Sequence, residues 1–565
     1  MSESLIERAP AAATPARVKK PRVLLSSVIQ PFGARHGDGF GVSYEGSHQI
    51  MWAEGIFRPR ATTTQWGIEF IAANLQAPTT TLHYPTMAQF IAELKNDYDY
   101  VGIAFVSTTL HKMKPMVEAV RRYAPRSKVI LGGYGTALDE KLLPPADHIC
   151  KGEGVAFMRE LLGEADAPPV QPDITQTGTL FSMEILGTTG YVFAGLGCPN
   201  GCDFCATSYY FKRKHIRLLP DGRAILDAIH RLRELHPGMT SFWINDEDFL
   251  LNEKRGREFL AAIRASGMPP VSISIFASVK ALSKFTPSEL VEMGIDWVWV
   301  GFEGKRAGYA KMNGRPYAEL FPDLHRHGIS VMASMIIGFE YQTPAIIEEE
   351  FEELLSLRPT MTQFLIYGPA HGTPLHDRMK AEGKLTAKMD DHSKHDGFAL
   401  CFEHPHLSAD EAEALQKRLG REAFRRLGPS VFRVVDDWLA GHVTLRDHAN
   451  ERVRAKAERL GVQAHEAMAL LPASARYLQE PARAWVRGLQ SRLAAETGGF
   501  TLKERLIARF MPVMLRYTAF KLRHDLWQQP EHTRNTYRTG KRLSLPARLL
   551  APAFRRTIDE RPVPS

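Results

Sequence analysis

The chain has 565 residues, 44% hydrophobic and 24% charged, too long for one core, so three or four domains are expected and a small module or a disordered chain is excluded. Five cysteines in that length exclude a disulfide scaffold and suit a reducing compartment, where thiols serve as ligands or catalysts. The net charge of +8 is uneven: residues 501–565 hold 14 Lys and Arg against 5 Asp and Glu, and the first 500 hold 57 against 58, so the footprint of a nucleic-acid binder is absent from the body of the protein.

Residues 1–20 are rich in Ala, Pro and charge without a period and read as disordered. Val23–Ile29 reads as a buried strand followed by a glycine-dense loop through Gly33, Gly37, Gly39 and Gly41. Tyr100–Val106, Lys128–Leu131 and His148–Cys150 read as further strands, with a helix over Lys114–Tyr123. Strands alternating with helices predict a doubly wound parallel sheet, which binds ligands at the carboxyl ends of its strands. The loops there carry Ser107, Thr108, Gly132, Gly133, Tyr134, Gly135, Gly152 and Glu153. Each glycine pair alone is an ordinary turn; four such loops on one edge point to a ligand.

A Pro-rich stretch from Asp166 to Pro172 reads as a linker. Six further strands follow, over Tyr191–Leu196, Ser241–Ile244, Ser272–Phe276, Trp297–Val300, Val331–Ile337 and Gln363–Tyr367, alternating with helical stretches such as Gly222–Leu235 and Pro344–Leu357. That repeat predicts a partial (βα)6 barrel with its site at the strand carboxyl ends. Beyond residue 405 long helical patterns dominate. In Lys503–Arg523 a stripe of Leu506, Phe510, Met514, Tyr517 and Phe520 runs beside Arg505, Arg509, Arg516 and Arg523. This is an amphipathic helix whose apolar stripe is expected to pack on the body of the protein, with contact to anionic lipid as the second reading.

Directly after the first barrel strand stand Cys198, Cys202 and Cys205, spaced C-x3-C-x2-C. Structural zinc wants four ligands, for which His215 is the nearest addition, whereas a [4Fe–4S] cluster on three thiolates keeps one iron open for a small molecule. With Phe204 before the last cysteine, this loop resembles the signature of the radical S-adenosylmethionine (SAM) superfamily. The resemblance implies that Cys198, Cys202 and Cys205 hold a [4Fe–4S] cluster whose open iron binds SAM, and that one electron cleaves SAM to a 5′-deoxyadenosyl radical. It also implies SAM-binding roles for Phe204, for Asp246 or Asp248 toward the amino group, for Lys280 toward the carboxylate, for Glu303 toward the ribose hydroxyls and for Gly338 near the adenine. Tyr367 and His371, at and after the last strand, are candidates for the substrate chamber.

A doubly wound domain ahead of such a barrel resembles the cobalamin-binding domain of one large radical SAM branch, which implies cobalamin at the glycine and hydroxyl loops. His36 is a weak candidate for a lower cobalt ligand, because Ala34 stands where Asp-x-His-x-x-Gly has its orienting Asp. The organisation expected is a disordered start over 1–20, a cobalamin-binding-like Rossmann domain over 21–165, a linker over 166–187, a radical SAM barrel over 188–400 and a helical region with a basic tail over 401–565. The activity expected is cobalamin-dependent C-methylation of an unactivated carbon in a small-molecule, lipid-like or peptide substrate. A cyclase or oxidase without cobalamin turnover and a non-catalytic Fe–S or cobalamin-binding protein are the alternatives. An external electron donor of flavodoxin or ferredoxin type is expected. No apolar run approaches the roughly 18 residues of a membrane span, and Met1–Lys20 has no apolar core after its charges. The expected location is therefore cytoplasmic, with peripheral membrane contact only through the tail.

Overall fold

The computed structural model describes residues 20–32, 50–61, 64–304, 306–524, 526 and 530–543. Its first sheet is built on five parallel strands in the order Thr79–His83, Val23–Ser27, Tyr100–Ala104, Lys128–Gly132, His148–Ile149. In chain order this is 2-1-3-4-5, the flavodoxin-like arrangement. Its switch point, where ligands bind, lies between the carboxyl ends of Val23–Ser27 and Tyr100–Ala104. Both central strands read as apolar runs because helices cover both faces of the sheet, and Val23–Ser27 is buried at every residue.

Thr79–His83 escapes an apolar-run reading because it is Thr-Thr-Thr-Leu-His, yet all five residues are buried. Its polar atoms are paired: Thr79 Oγ1 donates to Ala77 O (3.0 Å), Tyr98 Oη to Thr80 Oγ1 (2.9 Å) and Thr81 Oγ1 to Glu69 Oε1 (2.5 Å). Burial of these hydroxyls therefore carries no desolvation penalty from unmade bonds. A second strand that the pattern does not suggest, Thr533–Arg538, comes from the C-terminal region and adds antiparallel to Thr79–His83, with Thr533 opposite His83 and Tyr537 opposite Thr79. It covers what would otherwise be an open sheet edge.

The second sheet carries six parallel strands in consecutive order: Thr188–Phe193, Ser241–Asn245, Ser272–Phe276, Ile295–Phe302, Ser330–Ile337 and Met361–Ile366. The first and sixth do not pair, so the sheet is an open half-barrel, extended beyond its first strand by the antiparallel Thr175–Thr179 and Arg60–Ala61. Alternation assigns the two faces. Phe242, Ile244, Ile273, Ile275, Val298 and Val300 are fully buried in the layer toward the helices. The intervening Trp243, Phe276, Trp297 and Trp299 form an aromatic ladder on the concave face, with ring centroids 4.9–6.1 Å apart.

The Pro-rich connection is pinned at the end of the helix Trp66–Ala73 and at the first barrel strand, although its composition reads as a free linker. Val170 exchanges two backbone hydrogen bonds with the Asn74 side chain (2.6 and 2.9 Å). Gln171 does the same with the backbone of Phe193 (2.8 and 2.9 Å). Five long helices follow over 409–427, 430–445, 451–467, 482–497 and 502–523. In the last, the expected orientation is reversed: Met511, Leu515 and Thr518 are buried, while Leu506, Phe510, Tyr517 and Phe520 are exposed.

Candidate active site

One cavity of about 1060 Å³ runs from the carboxyl ends of the first sheet to the mouth of the half-barrel. From the first domain it is walled by Val28, Phe105, Thr108, Thr109, Gly133 and Glu153, and from the barrel by the three cysteines together with Asn245, Glu247 and Glu303. Its size exceeds the roughly 300–1,000 Å³ of ordinary small-ligand pockets.

The cysteine loop is held by its own backbone and by the short helix Ala206–Tyr210. Ser208 Oγ donates to Cys198 O (2.7 Å) and accepts from Gly201 N (3.2 Å), while Tyr209 Oη donates to Gly201 O (3.1 Å). Gly201 has φ +70°, and a side chain there would meet the Arg213 guanidinium at 2.5 Å, so the tight loop requires glycine. Burial pushes the Cys198 thiol up to about 12 and that of Cys202 up to about 11, with the Lys311 charge pulling the latter back. Among the described residues no three His, Cys, Asp or Glu side chains are arranged to hold a single metal ion. All three cysteines line the one cavity, as a cluster held by three thiolates with one open iron would require. His215, the candidate fourth zinc ligand, instead bonds Asp246 through Nε2 at 2.9 Å.

Phe204 lines the cavity and packs edge-on against Tyr309 and Tyr367, with centroids 5.4 and 5.6 Å away. Both tyrosines donate to Asp203, at 2.6 and 3.1 Å. Tyr367 thus supports the cysteine loop from behind and does not line the cavity. His371 is also outside it, within a cluster of rings formed with His376, His392 and His395. Burial and the neighbouring imidazoles push its pKa down to about 3.

The second barrel strand ends in Asn245, Asp246, Glu247 and Asp248, all on the cavity wall. Asp246 is 2% exposed, and both its oxygens are engaged. Oδ1 accepts from Asp248 N (3.2 Å), and Oδ2 accepts from His215 Nε2 and from Arg255 Nη2 (2.5 Å). Burial opposes its charge, yet the His215 hydrogen bond and the Arg255 guanidinium hold its carboxyl below the usual range. Asp248 is likewise committed, accepting from Ser278 N (3.0 Å) and Asn200 Nδ2 (2.9 Å). Burial, against those bonds, leaves its carboxyl raised.

The polar atoms without partners are different ones: Glu247 Oε2, Glu303 Oε2 and Asn245 Nδ2 are buried and unbonded. Burial, with the Asp246 charge, raises the Glu247 carboxyl. All three residues line the cavity, and two carboxylates beside an amide are the complement of a polar ligand carrying hydroxyl or ammonium donors and a carboxylate acceptor, as SAM does. Glu303 also pairs through Oε1 with Lys311. Burial would lower the Lys311 ammonium, but the Glu303 charge outweighs it and holds it above the ordinary range. Lys311 lies 5.7 Å from the Phe204 ring and lines the cavity. Lys280, by contrast, is exposed on the helix Val279–Leu282 and lines no part of the cavity. Gly338 is buried with φ +85° beneath Leu400 and Ile366, also away from the cavity wall. Glu247 and Lys311 carried no recognisable spacing; only the open half-barrel brings them to the thiols.

In the first domain, Gly133 (φ +88°) and Gly135 let their loop lie directly on Phe105. A Cβ on Gly133 would meet Phe105 O at 2.6 Å, and one on Gly135 would enter the Phe105 ring. Gly132 closes its strand, and Gly152 (φ +111°) has open space around it, on the cavity. Glu153 caps the helix Gly154–Leu162, accepting from Val155 N (2.7 Å) and Ala156 N (2.6 Å). Thr108 and Thr109 line the cavity and Ser107 does not; the turn Ser107–Thr109 as a whole lies against the His392–Lys394 turn. The Tyr134 ring packs against Tyr210, with centroids 4.9 Å apart and planes tilted by 50°. Tyr210, from the helix after Cys205, shares hydrogen bonds with Thr136 Oγ1 (2.9 Å), Gly133 O (3.1 Å) and Cys150 O (3.2 Å). This tyrosine, unremarked in the sequence, ties the cysteine loop to the glycine loop. His36 lies outside the described residues.

The B12-binding domain family matches residues 60–162. Bacteriochlorophyllide d C-12(1)-methyltransferase of Chlorobaculum tepidum is 23% identical over 352 residues, covering 58% of this chain and 75% of that protein. The anaerobic magnesium-protoporphyrin IX monomethyl ester cyclase of Cereibacter sphaeroides is 21% identical over 375 residues, 57% of this chain and 58% of that one. The match thus spans little more than half of the cyclase. Among solved structures, the radical SAM methyltransferase TsrM from Kitasatospora setae, with cobalamin and a [4Fe–4S] cluster bound, superposes with a TM-score of 0.48 at 12% identity, covering 79% of this chain and all of that one. The family match gives the first domain as a B12-binding domain, and the two curated relatives are a methyltransferase and a cyclase.

Proposed function

We propose that this radical SAM protein is a cobalamin-dependent C-methyltransferase acting on an unactivated carbon of a sizeable small-molecule or lipid-like substrate. The observation that carries the reading is the single cavity that joins three thiols, the Glu247 and Glu303 carboxylates and the loops of a B12-type sheet at its switch point. When bound there, the cluster, SAM and cobalamin supply reductive SAM cleavage, hydrogen abstraction and a methyl group, the chemistry that side chains cannot provide.

The residues of the chain position and enclose these groups. Cys198, Cys202 and Cys205 would hold the cluster, with Ser208 and Tyr209 fixing their loop. Glu303 and Glu247 would accept from the hydroxyls and ammonium of SAM, Asn245 would donate to its carboxylate, and Lys311 would balance the thiolates and Glu303. Thr108, Thr109 and the Gly132–Gly135 and Gly152 loops would seat the corrin, and the aromatic ladder of Trp297, Trp299 and Phe276 would exclude water and take an apolar substrate. An external one-electron donor would complete the cycle. The relative that is a cyclase favours a second reading, ring closure in the same cavity.

Anaerobic purification with iron, sulfide and cobalamin assays, then incubation with SAM and a reductant, tests the proposal. Formation of 5′-deoxyadenosine with bound cobalamin supports methyl transfer, and the same product without cobalamin supports the cyclase reading. A Cys198/Cys202/Cys205→Ala variant that kept the cluster and SAM cleavage would overturn both.

A further inference from the structure

The C-terminal helix Leu502–Arg523 has two apolar faces, and only one is used. At roughly 100° per residue, Met511 and Leu515 fall on the inner side and join the core made with Ile56, Phe57 and Leu471. Leu502, Leu506, Phe510, Val513, Tyr517 and Phe520 fall within about 80° of one another on the opposite side, and their exposure runs from 50% at Tyr517 to 76% at Leu502. Six large apolar side chains in one exposed stripe are more than the scattered exposures of a soluble surface and mark a contact surface.

Charge narrows what covers it. Arg505, Arg509, Arg516 and Arg523 project along one margin of the stripe, Lys503 and Lys521 along the other. The four arginines are exposed and make no ion pair among the described residues. Lys521 leans over the Tyr517 ring, 5.6 Å from its centroid. An apolar stripe bordered by cations is the geometry of a helix lying in a bilayer interface: the stripe enters the acyl boundary while long basic side chains reach back to phosphate. The same borders oppose self-association, since a second copy on this face would bring two rows of arginine together. They also oppose nucleic acid, whose phosphates would meet apolar side chains at the centre of the contact.

We propose that Leu502–Arg523 is a peripheral membrane-docking helix that seats the protein on anionic phospholipid. The inference is independent of the reaction assigned to the cavity, because none of these side chains lines it.

The test is flotation of the full chain with vesicles of phosphatidylcholine alone and of an equal mixture with phosphatidylglycerol. The chain is expected to float with the anionic vesicles and to remain behind with the neutral ones. Phe510→Glu and Val513→Glu alter exposed positions and should leave the circular dichroism spectrum and thermal midpoint unchanged while lowering vesicle affinity at least about tenfold each. Arg509→Gln and Arg516→Gln should each cost about fivefold, less at high salt. Equal flotation with both vesicle types, or undiminished binding by Phe510→Glu, would overturn the proposal. So would a concentration-dependent dimer abolished by Phe510→Glu, which would assign the face to a second copy.

Discussion

Replacing Asp246 by Asn separates two roles that its position allows, ligand contact and internal counter-charge. The carboxylate is 2% exposed, and Arg255, equally buried, reaches it at 2.5 Å through Nη2. Arg255 Nε and Nη1 already lack partners, so the guanidinium depends on this one anion. An exposed pair of the same geometry would be worth at most ~1 kcal/mol; stranding a buried charge costs about 3–5 kcal/mol. Asp246→Asn is therefore expected to lower the barrel's urea midpoint by an amount equivalent to several kcal/mol. Adding Arg255→Met should return a large part of that loss, because the uncompensated charge then disappears with its partner. Circular dichroism during urea titration of the two variants and the parent reads both effects. Stability of Asp246→Asn within about 1 kcal/mol of the parent would refute the counter-charge argument, as would a double variant no more stable than the single one.

Glu247→Gln retains volume but removes the carboxylate charge at the cavity wall, and is expected to weaken SAM binding to the reconstituted protein about tenfold or more by calorimetry with little change in thermal midpoint. Gly133→Ala places a Cβ 2.6 Å from Phe105 O at φ +88°, and should lower the thermal midpoint by an amount equivalent to about 1–3 kcal/mol while reducing cobalamin retained after gel filtration. Tyr210→Phe removes the hydroxyl that joins the cysteine helix to the glycine loop, and hydrogen exchange should rise in the 133–137 turn. Glu69 is 3% exposed; burial opposes its charge, but His83, Thr81 and Tyr537 hold its carboxyl down to about 2. Its contribution, about 3 kcal/mol by linkage, is complete above the ordinary carboxylate pKa and lost as pH falls toward 2. The parent's advantage over Glu69→Gln in thermal midpoint should accordingly be full at neutral pH and shrink through acid pH, and a constant difference between pH 7 and pH 3 would contradict the assignment.

The architecture was legible wherever one physical rule acted alone. Strands buried on both faces, such as Val23–Ser27, read as apolar runs, and the half-barrel strands alternate because one face meets helices and the other the cavity. The strand Thr79–His83 was hidden because side-chain hydrogen bonds replaced apolar burial, and Thr533–Arg538 because an edge strand buries almost nothing except Tyr537. The stripe on Leu502–Arg523 was visible as a stripe, but periodicity does not tell an inner apolar face from an outer one when a helix has both.

The same distinction governs the site. The three cysteines are close in sequence and their spacing carries the chemistry, so they could be read directly. The carboxylates after the second strand could be located but not ranked, since ranking depends on which oxygens are already bonded. Asp246 and Asp248 are engaged on both oxygens, by Arg255, His215, Ser278 and Asn200, whereas Glu247, between them in sequence and also on the cavity wall, keeps one carboxyl oxygen without a partner. Lys280 and Lys311 differ in the same way. Both follow barrel strands, but only Lys311 folds back over Phe204 to meet Glu303 beside the thiols. A ligand site is defined by the valences that the fold leaves unsatisfied, and those come from long-range pairings that local sequence pattern does not encode.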